Sequence, residues 1–315
     1  MPTFKFRRIV EVGQKTKLFL DLKGGVVRGE VPNLGPRPAR QSKRLARQSR
    51  RIRAQSRRLE EYQRQIELLK ELVPENDLKR VLWESGMRHE AQWWRKEMKR
   101  AFPQRNAEDR KLALQHDHLD PELPLQERIV EHLNVPQGEV VSILDIGAGP
   151  LTRLGKKWQG RTVEITAIDP LADYYNRQLD KLGVTPLVRT QPGEVERLTD
   201  HFPTNHFDLV YMHNALDHSY DPLKGIRQML EVVKPGSYVL LDHFINEAET
   251  TGYHGLHQWN FCADGDHFAI WNRETHYSVN NVLGDEAQTT VVEQIPAEKT
   301  PNRKRGKLFV RLQKR

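Results

Sequence analysis

The sequence predicts an α/β protein: a doubly wound, mostly parallel sheet with a C-terminal antiparallel hairpin, preceded by a helical cap and a long basic N-terminal helix. Three observations carry this reading. Beyond residue 138, apolar runs of strand length (140–144, 163–168, 207–212 and 238–241) alternate with helical stretches at 171–182 and 223–233, the grammar that builds parallel sheets. The first of these strands runs straight into a turn holding Gly147 and Gly149. Two last runs, 291–295 and 308–312, flank a Pro- and Lys-rich loop and read as the hairpin.

The N-terminal part is organised differently. Residues 1–36 form a short β-prone segment with a turn expected at Gly24 and Gly25, and Pro32, Gly35, Pro36 and Pro38 then break the chain. Residues 37–74 read as a basic helix, free of Gly and Pro from 39 to 72. Leu45, Ile52, Leu59, Ile66 and Val73 recur every seven residues, and Gln48, Gln55, Tyr62 and Leu69 occupy the other seam position. So polar a seam makes a weak coiled coil that improves toward Leu69. Three uses stay open: a solvated helix packing on its own protein, self-association through 39–73, or an arm for a polyanion or an anionic membrane surface through 37–58. Residues 75–135 read as a helical cap with helices at 84–100 and 125–133. Its Trp83, Trp93 and Trp94 serve either as core anchors or as a stacking platform. Residues 136–315 form the ligand-binding domain.

Charge is unevenly spread. The 315 residues hold 50 Lys+Arg against 42 Asp+Glu, a formal charge of +8. Ten of those cations lie in 37–58, which contains no acid, so the remaining chain is close to neutral. Hydrophobic residues at 37% and a mean hydropathy of −0.72 mean that part of the chain is strongly solvated. No apolar run reaches the ~18 residues of a membrane span. The start, M-P-T-F-K-F-R-R, lacks the apolar core of a signal peptide. A single cysteine, Cys262, excludes an intramolecular disulfide framework and a Cys-based zinc cluster. The expected location is cytoplasmic, with the basic arm as a means of lying peripheral to a membrane.

The chemistry concentrates in V-V-S-I-L-D-I-G-A-G-P-L-T-R-L-G, residues 140–155. Glycines after a buried strand let the backbone approach a ligand and leave helix N-terminal N–H groups facing it. A nicotinamide fingerprint would need glycine at 152, where Thr152 stands. There is no G-K-[ST] of a phosphate-cradling loop either, and Asp145 would repel a pyrophosphate and suit a cationic ligand. Twenty residues after Gly149, Asp169 ends the second strand, where an acid can accept hydrogen bonds from both ribose hydroxyls. An acid on each side of the glycine turn suits S-adenosyl-L-methionine, an amino acid joined to a nucleoside without phosphate.

At this point the sequence resembles the class I S-adenosylmethionine-dependent methyltransferases, Rossmann-like proteins, over roughly residues 125–315. L-D-I-G-A-G-P looks like that family's glycine-rich first motif. Residues 207–242 look like its fourth strand, helix and fifth strand, with L-D-H-S-Y-D-P similar to L-E-H-x-x-D-P and Asp217 where Glu is more usual. The resemblance implies that Asp145, Gly147 and Gly149 hold the methionine end and Asp169 the ribose. It puts Gly193 and Glu194, after the third strand, by the adenine, and Asn214 near the transferred methyl. For Glu194 and Asn214 a purely structural use stays open.

A sulfonium methyl is transferred in line, so the protein mainly supplies alignment. For a hydroxyl acceptor a general base helps, and histidine suits neutral pH. His218, beyond strand four, and His243, beyond strand five, are the candidates, and each also has a structural reading. Residues 243–261 are dense in His, aromatic and amide groups. Tyr253, His254, His257, Gln258, Trp259 and Asn260 could bind a sugar, or Trp259 and Phe261 could merely pin a loop. Mg2+ would need Asp217 and Asp242 side by side. With His243 where a further acid is expected, no metal is favoured.

Three functions therefore compete. The leading one is O-methylation of a carbohydrate, glycan-linked or other small-molecule acceptor. The second is methylation of a nucleic acid delivered by the arm 37–58 and a basic tail 303–315. The third is a non-catalytic scaffold, which intact Asp145, Gly147, Gly149 and Asp169 argue against. No N-P-P-Y motif for amide-nitrogen methylation follows strand four.

Overall fold

The computed structural model describes residues 8–12, 16–20, 26–29, 64, 75–103, 108, 117–136, 138–300 and 305–315. The chain divides into two compact units, Met1–Leu72 and Val73–Arg315. In the first, β1 (Arg8–Val12), β2 (Thr16–Leu20) and β3 (Val26–Gly29) pair as an antiparallel meander. The Gly24–Gly25 turn and, Arg64 apart, the basic helix at 37–74 with its seam lie outside the described residues.

The second unit opens with α1 (Glu75–Ala101), a 27-residue helix starting nine residues before the expected 84. It stops at Phe102-Pro103, since the residue before a proline disfavours the helical region. α2 (Glu127–Val130) is shorter than the expected 125–133. Then come β4 (Val141–Ile146), the two-residue β5 (Lys157–Trp158), β6 (Arg161–Ile168), α3 (Ala172–Leu182), β7 (Phe207–His213), α4 (Pro222–Val232) and β8 (Val233–Phe244). α5 (Glu247–Thr251), β9 (Asn260–Asp264), β10 (His267–Trp271), β11 (His276–Ser278), α6 (Val279–Leu283), β12 (Ala287–Ile295) and β13 (Lys307–Lys314) complete the unit.

One seven-stranded sheet carries the unit, in the order β12-β13-β8-β7-β4-β6-β5. β6, β4, β7 and β8 are parallel, while β13 pairs antiparallel with β8 and β12 with β13. The expected doubly wound sheet and its closing hairpin are both present. The third parallel strand is not: between Pro186 and Pro192 the chain makes one bridge, Gln191 to Ile168. Proline has no N–H to give a ladder, so two of them cut the pairing short.

Side chains sort by strand alternation onto two buried faces. Leu144, Ile146, Val210, Met212, Val239 and Leu241 face α4 in one core cluster. Val141, Ile143, Leu209, Tyr211 and Leu240 face Ile129 of α2 in the other. The alternation also places Asp145, His213 and Asp242 toward the α2 side and His243 toward the α4 side. α4 shows why the helix forms where it does: Asp221 accepts from the Lys224 N–H at 3.0 Å and Pro222 fills the first turn.

The antiparallel trio β9–β10–β11 was not anticipated. Its Phe261, Phe268 and Ile270 are fully buried and join the α4-side core with Trp259. The Asp264-Gly265 pair, with Gly265 at φ +59, is the turn signal between β9 and β10.

Gly155 lets residues 123–125 lie across the start of β5. Leu125 N–H donates to Lys157 O, and Lys156 N–H to Leu123 O, each at 2.7 Å. A Cβ at Gly155 would stand 2.0 Å from the Pro124 carbonyl oxygen. Gly155→Ala should cost about 1–3 kcal/mol, the range for overpacking, read as a lowered urea midpoint. An unchanged midpoint would contradict this packing.

Candidate active site

The site lies at the C-terminal edge of the parallel strands, where ligands of such sheets bind. β4 ends in Asp145, and the chain turns through Gly147 and Gly149, both at φ +65. Glycine is required at both for a second reason. A Cβ at Gly147 would lie 2.3 Å from the Ala215 Cβ, and one at Gly149 would lie 3.1 Å from the Trp94 ring. The Gly147 and Ala148 N–H groups donate to Ile168 O at 2.9 and 3.2 Å, tying the turn to the end of β6.

Two buried carboxylates flank this turn. Asp169 accepts from the Gly149 N–H at 3.2 Å and the Leu171 N–H at 2.8 Å, leaving lone pairs on both oxygens. Burial pushes it up to about 6 despite these two bonds. Asp145 accepts from the Thr152 hydroxyl at 2.5 Å, and burial lifts it to about 7 against the pull of Thr152 and Lys156. Thr152, at the place of a third glycine, thus orients the acid. Neither carboxylate has an ion-pair partner among the described contacts, which suits a ligand bearing an ammonium group and hydroxyls.

Two cavities meet over the turn. The smaller, about 90 Å³, is walled by Asp169, Leu171, Gly193 and Val195 on the sheet side and covered by Trp83 and Met87 of α1. The larger, about 560 Å³, is walled by Asp145, Gly149, Arg153, His213, Asp217, Glu247, His254, His257, Arg305 and Lys307. Glu90, Trp94, Gly147, Asn214, His218 and Leu256 belong to both. The cap Trp residues therefore all reach the site: Trp83 and Trp94 roof it, and the half-exposed Trp93 lines the larger cavity.

The turn after β7 forms the partition. Asn214, at φ +46, donates its N–H to Asp242 O and accepts from the Phe244 N–H at 2.9 Å, locking the ends of β7 and β8 together. Asp217 is almost wholly buried and meets His257, its Oδ2 lying 2.6 Å from Nδ1. The His218 Nε2 is 3.0 Å from the same His257 nitrogen. Burial alone would raise Asp217, but His218 and His257 outweigh it and hold the acid below the usual carboxylate range. His257 moves the other way: burial would lower it, and the Asp217 carboxylate raises it.

Of the residues the sequence singles out, Asp145, Gly147, Gly149, Asp169, Gly193, Asn214, His218, His254 and His257 are brought together here. Four are not. His243 points toward the α4-side core against Phe261, is 2% exposed, and burial lowers it to about 4, so it reaches neither cavity. Trp259 is buried and donates to Ser219 O at 3.0 Å, the pinning role. Tyr253 lies under Arg273 and accepts from Asn260. Glu194 lies outside the walls and pairs with Arg80 of α1 at 3.1 Å. The Asp217–Asp242 pair expected for Mg2+ does not form either. Asp242 is on the α2 side with Arg128 at 3.2 Å and His213 at 3.3 Å. Sequence reasoning missed Glu90, Arg153, His213, Glu247, Arg305 and Lys307; no local pattern marks them, because the fold gathers them from distant elements.

Comparison with known proteins fits this geometry. A family model described as a methyltransferase domain matches residues 144–241. The ubiquinone/menaquinone biosynthesis C-methyltransferase UbiE of Pseudomonas aeruginosa is 36% identical over 107 residues, 32% of this chain and 41% of that protein. The protein of the same name from Psychromonas ingrahamii is 30% identical over 118 residues, 36% of this chain and 46% of its own length. This chain thus spans less than half of the curated relatives it matches. A SAM dependent methyltransferase structure from Aquifex aeolicus aligns over 63% of this chain and 93% of that one, with 16% identity and a TM-score of 0.33.

The raised carboxylates set a pH dependence. An ammonium group binds the ionised form of Asp145, so affinity for S-adenosylmethionine should be full above pH 7. It should decline as pH drops through about 7 and then about 6, by up to about tenfold per pH unit for each required deprotonation. Calorimetric titration across that range checks this; an affinity flat with pH would contradict it.

Proposed function

We propose that this chain, whose residues 144–241 form a class I S-adenosylmethionine-dependent methyltransferase domain, is an enzyme that methylates a hydroxyl oxygen of a small polar acceptor, carbohydrate or glycan-linked. The observation that carries the reading is the shared wall between the two cavities. The smaller is walled by Asp169, the acid suited to ribose; the larger, at about 560 Å³, is of a size that takes small molecules.

Bound S-adenosylmethionine supplies an electrophilic methyl on a sulfonium. The chain's own residues do the rest. Asp169 accepts from the ribose hydroxyls, and Asp145 faces the ammonium group. Gly147 and Gly149 keep the turn bare enough for close approach. Trp83, Met87 and Trp94 roof the site and exclude water. His218, on the wall common to both cavities, contacts the acceptor oxygen and draws on its proton, with His257 and Asp217 behind it. Alignment is the main catalytic contribution.

Two observations support a small acceptor over a nucleic acid. Among the described residues the lining of the larger cavity mixes imidazoles, acids and bases rather than presenting a run of cations. Most of the expected basic tail is instead strand β13 and its flanks, where three of the charges have partners: Arg305 with Glu247 at 2.8 Å, Lys314 with Asn205 at 2.7 Å, and Arg315 with Asp285 at 2.9 Å. Carbon methylation is the second reading, favoured by the names of the UbiE relatives. The matching family model ends at residue 241, short of the acceptor walls at 244–257 and 305–307, so the likeness speaks for the cofactor half.

The test uses labelled S-adenosylmethionine and an extract of a source strain lacking the gene. Label should enter a product resistant to nuclease and protease. His218→Ala should lower its formation by about 10²–10⁴-fold, the usual worth of general acid–base help, while His243→Ala at most lowers stability. Nuclease-sensitive label would overturn the acceptor class, and full turnover by His218→Ala would remove its role.

A further inference from the structure

We propose that Asp217 Oδ2, His218 Nε2 and His257 Nδ1 form a site for one zinc-class divalent cation, with its open position toward the larger cavity. This deepens the methyltransferase reading and rests on it. The three donor atoms converge on one point. Their separations are 2.6 Å (Asp217–His257), 3.0 Å (His218–His257) and 3.6 Å (Asp217–His218), and among the described residues this is the group of His, Cys, Asp and Glu side chains that closes in this way. Tetrahedral zinc with ligands at about 2.0–2.1 Å sets its donors roughly 3.3 Å apart, a value inside the 2.6–3.6 Å range seen, so Asp217 and His257 would part on binding.

A ring nitrogen carries either one N–H or one lone pair. With a proton on His257 Nδ1 the bond to Asp217 is made, and the His218 nitrogen at 3.0 Å is left facing the same N–H. A cation among the three would take a lone pair from each of them, His218 included. Two imidazoles and one carboxylate are the donors of zinc and ferrous sites, whereas Mg2+ prefers oxygen.

The frame is held as a ligand frame requires. The Asp217 carbonyl accepts from the Gln258 N–H at 3.1 Å, that of His218 from the Trp83 indole at 2.7 Å, and that of Ser219 from the Trp259 indole at 3.0 Å. On the same cavity Glu247, 4% exposed, pairs one oxygen with Arg305 while its Oε2 has no hydrogen-bond partner. An acceptor oxygen entering the open position would be coordinated beside the shared wall. With the cation bound the two imidazoles would be ligands, so the base role of His218 belongs to the metal-free chain, and the acceptor oxygen, polarised by the cation, would lose its proton to water.

The experiment is calorimetric titration of zinc chloride into the full chain after removal of chelator, with S-adenosylmethionine binding measured on the same preparations. One saturable equivalent is expected. His257→Ala and His218→Ala should each weaken it by more than about tenfold, since loss of mere outer-shell partners already costs 10–100-fold. His276→Ala, exposed on β11, should leave it unchanged. Cobalt(II) should give the intense visible bands of a low-coordinate site in the parent chain and lose them in His257→Ala. Absence of saturable zinc binding, or binding unchanged in His257→Ala, overturns the site. S-adenosylmethionine binding without zinc binding overturns the cation alone; zinc binding without S-adenosylmethionine binding overturns the methyltransferase reading instead.

Discussion

Three consecutive carbonyls, of Asp217, His218 and Ser219, accept hydrogen bonds from two other parts of the chain. The donors are Gln258 and Trp259, in the segment after β8, and Trp83 of the cap helix. Leaving such a buried carbonyl unpaired costs about 1–3 kcal/mol, so the turn after β7 binds cap, sheet and post-strand segment into one frame. Gly86 lets the cap helix settle there, since a Cβ would stand 2.5 Å from the Leu256 side chain. With its backbone fixed this way, the turn presents His218 to both cavities and Asp217 to His257. The cap is thereby part of the site.

Four buried acids stand at the strand edge, and their electrostatics divide them. Asp217 and Asp242 have imidazole or guanidinium neighbours that overcome burial and hold them ionised. Asp145 and Asp169 have hydrogen-bond donors but no ion-pair partner, and burial wins. Such an imbalance marks groups whose counter-charge or donors arrive with a ligand. The division separates acids that hold the protein's own frame from acids that face a bound molecule.

Local pattern was enough to read the sheet, the glycine turn and the two acids beside it, because strand alternation and glycine at positive φ are short-range properties. The same rule explains the failures. The third strand implied by the resemblance before Gly193 is reduced to one bridge between Pro186 and Pro192. His243 and His218 both follow sheet strands in sequence; only the alternation along β8, which turns 243 toward Phe261, tells them apart. Along 243–261 composition leaves pocket wall and loop pin both open; in the fold Trp259 and Phe261 pin, and His254, Gly255, Leu256 and His257 join Phe244 and Glu247 as wall. Arg305 and Lys307 reach the cavity through a strand order that composition does not encode.

The central claim is that the Asn214–His218 turn is the wall across which a methyl group passes from one cavity to the other. A crystal structure with S-adenosylhomocysteine tests it most directly. The account predicts the ribose on Asp169, the ammonium group beside Asp145, and the sulfur at the wall between Gly147, Asn214 and His218, open toward His257. A sulfur turned away from the larger cavity, or an adenosine lodged outside the pocket beneath Trp83 and Trp94, would contradict it.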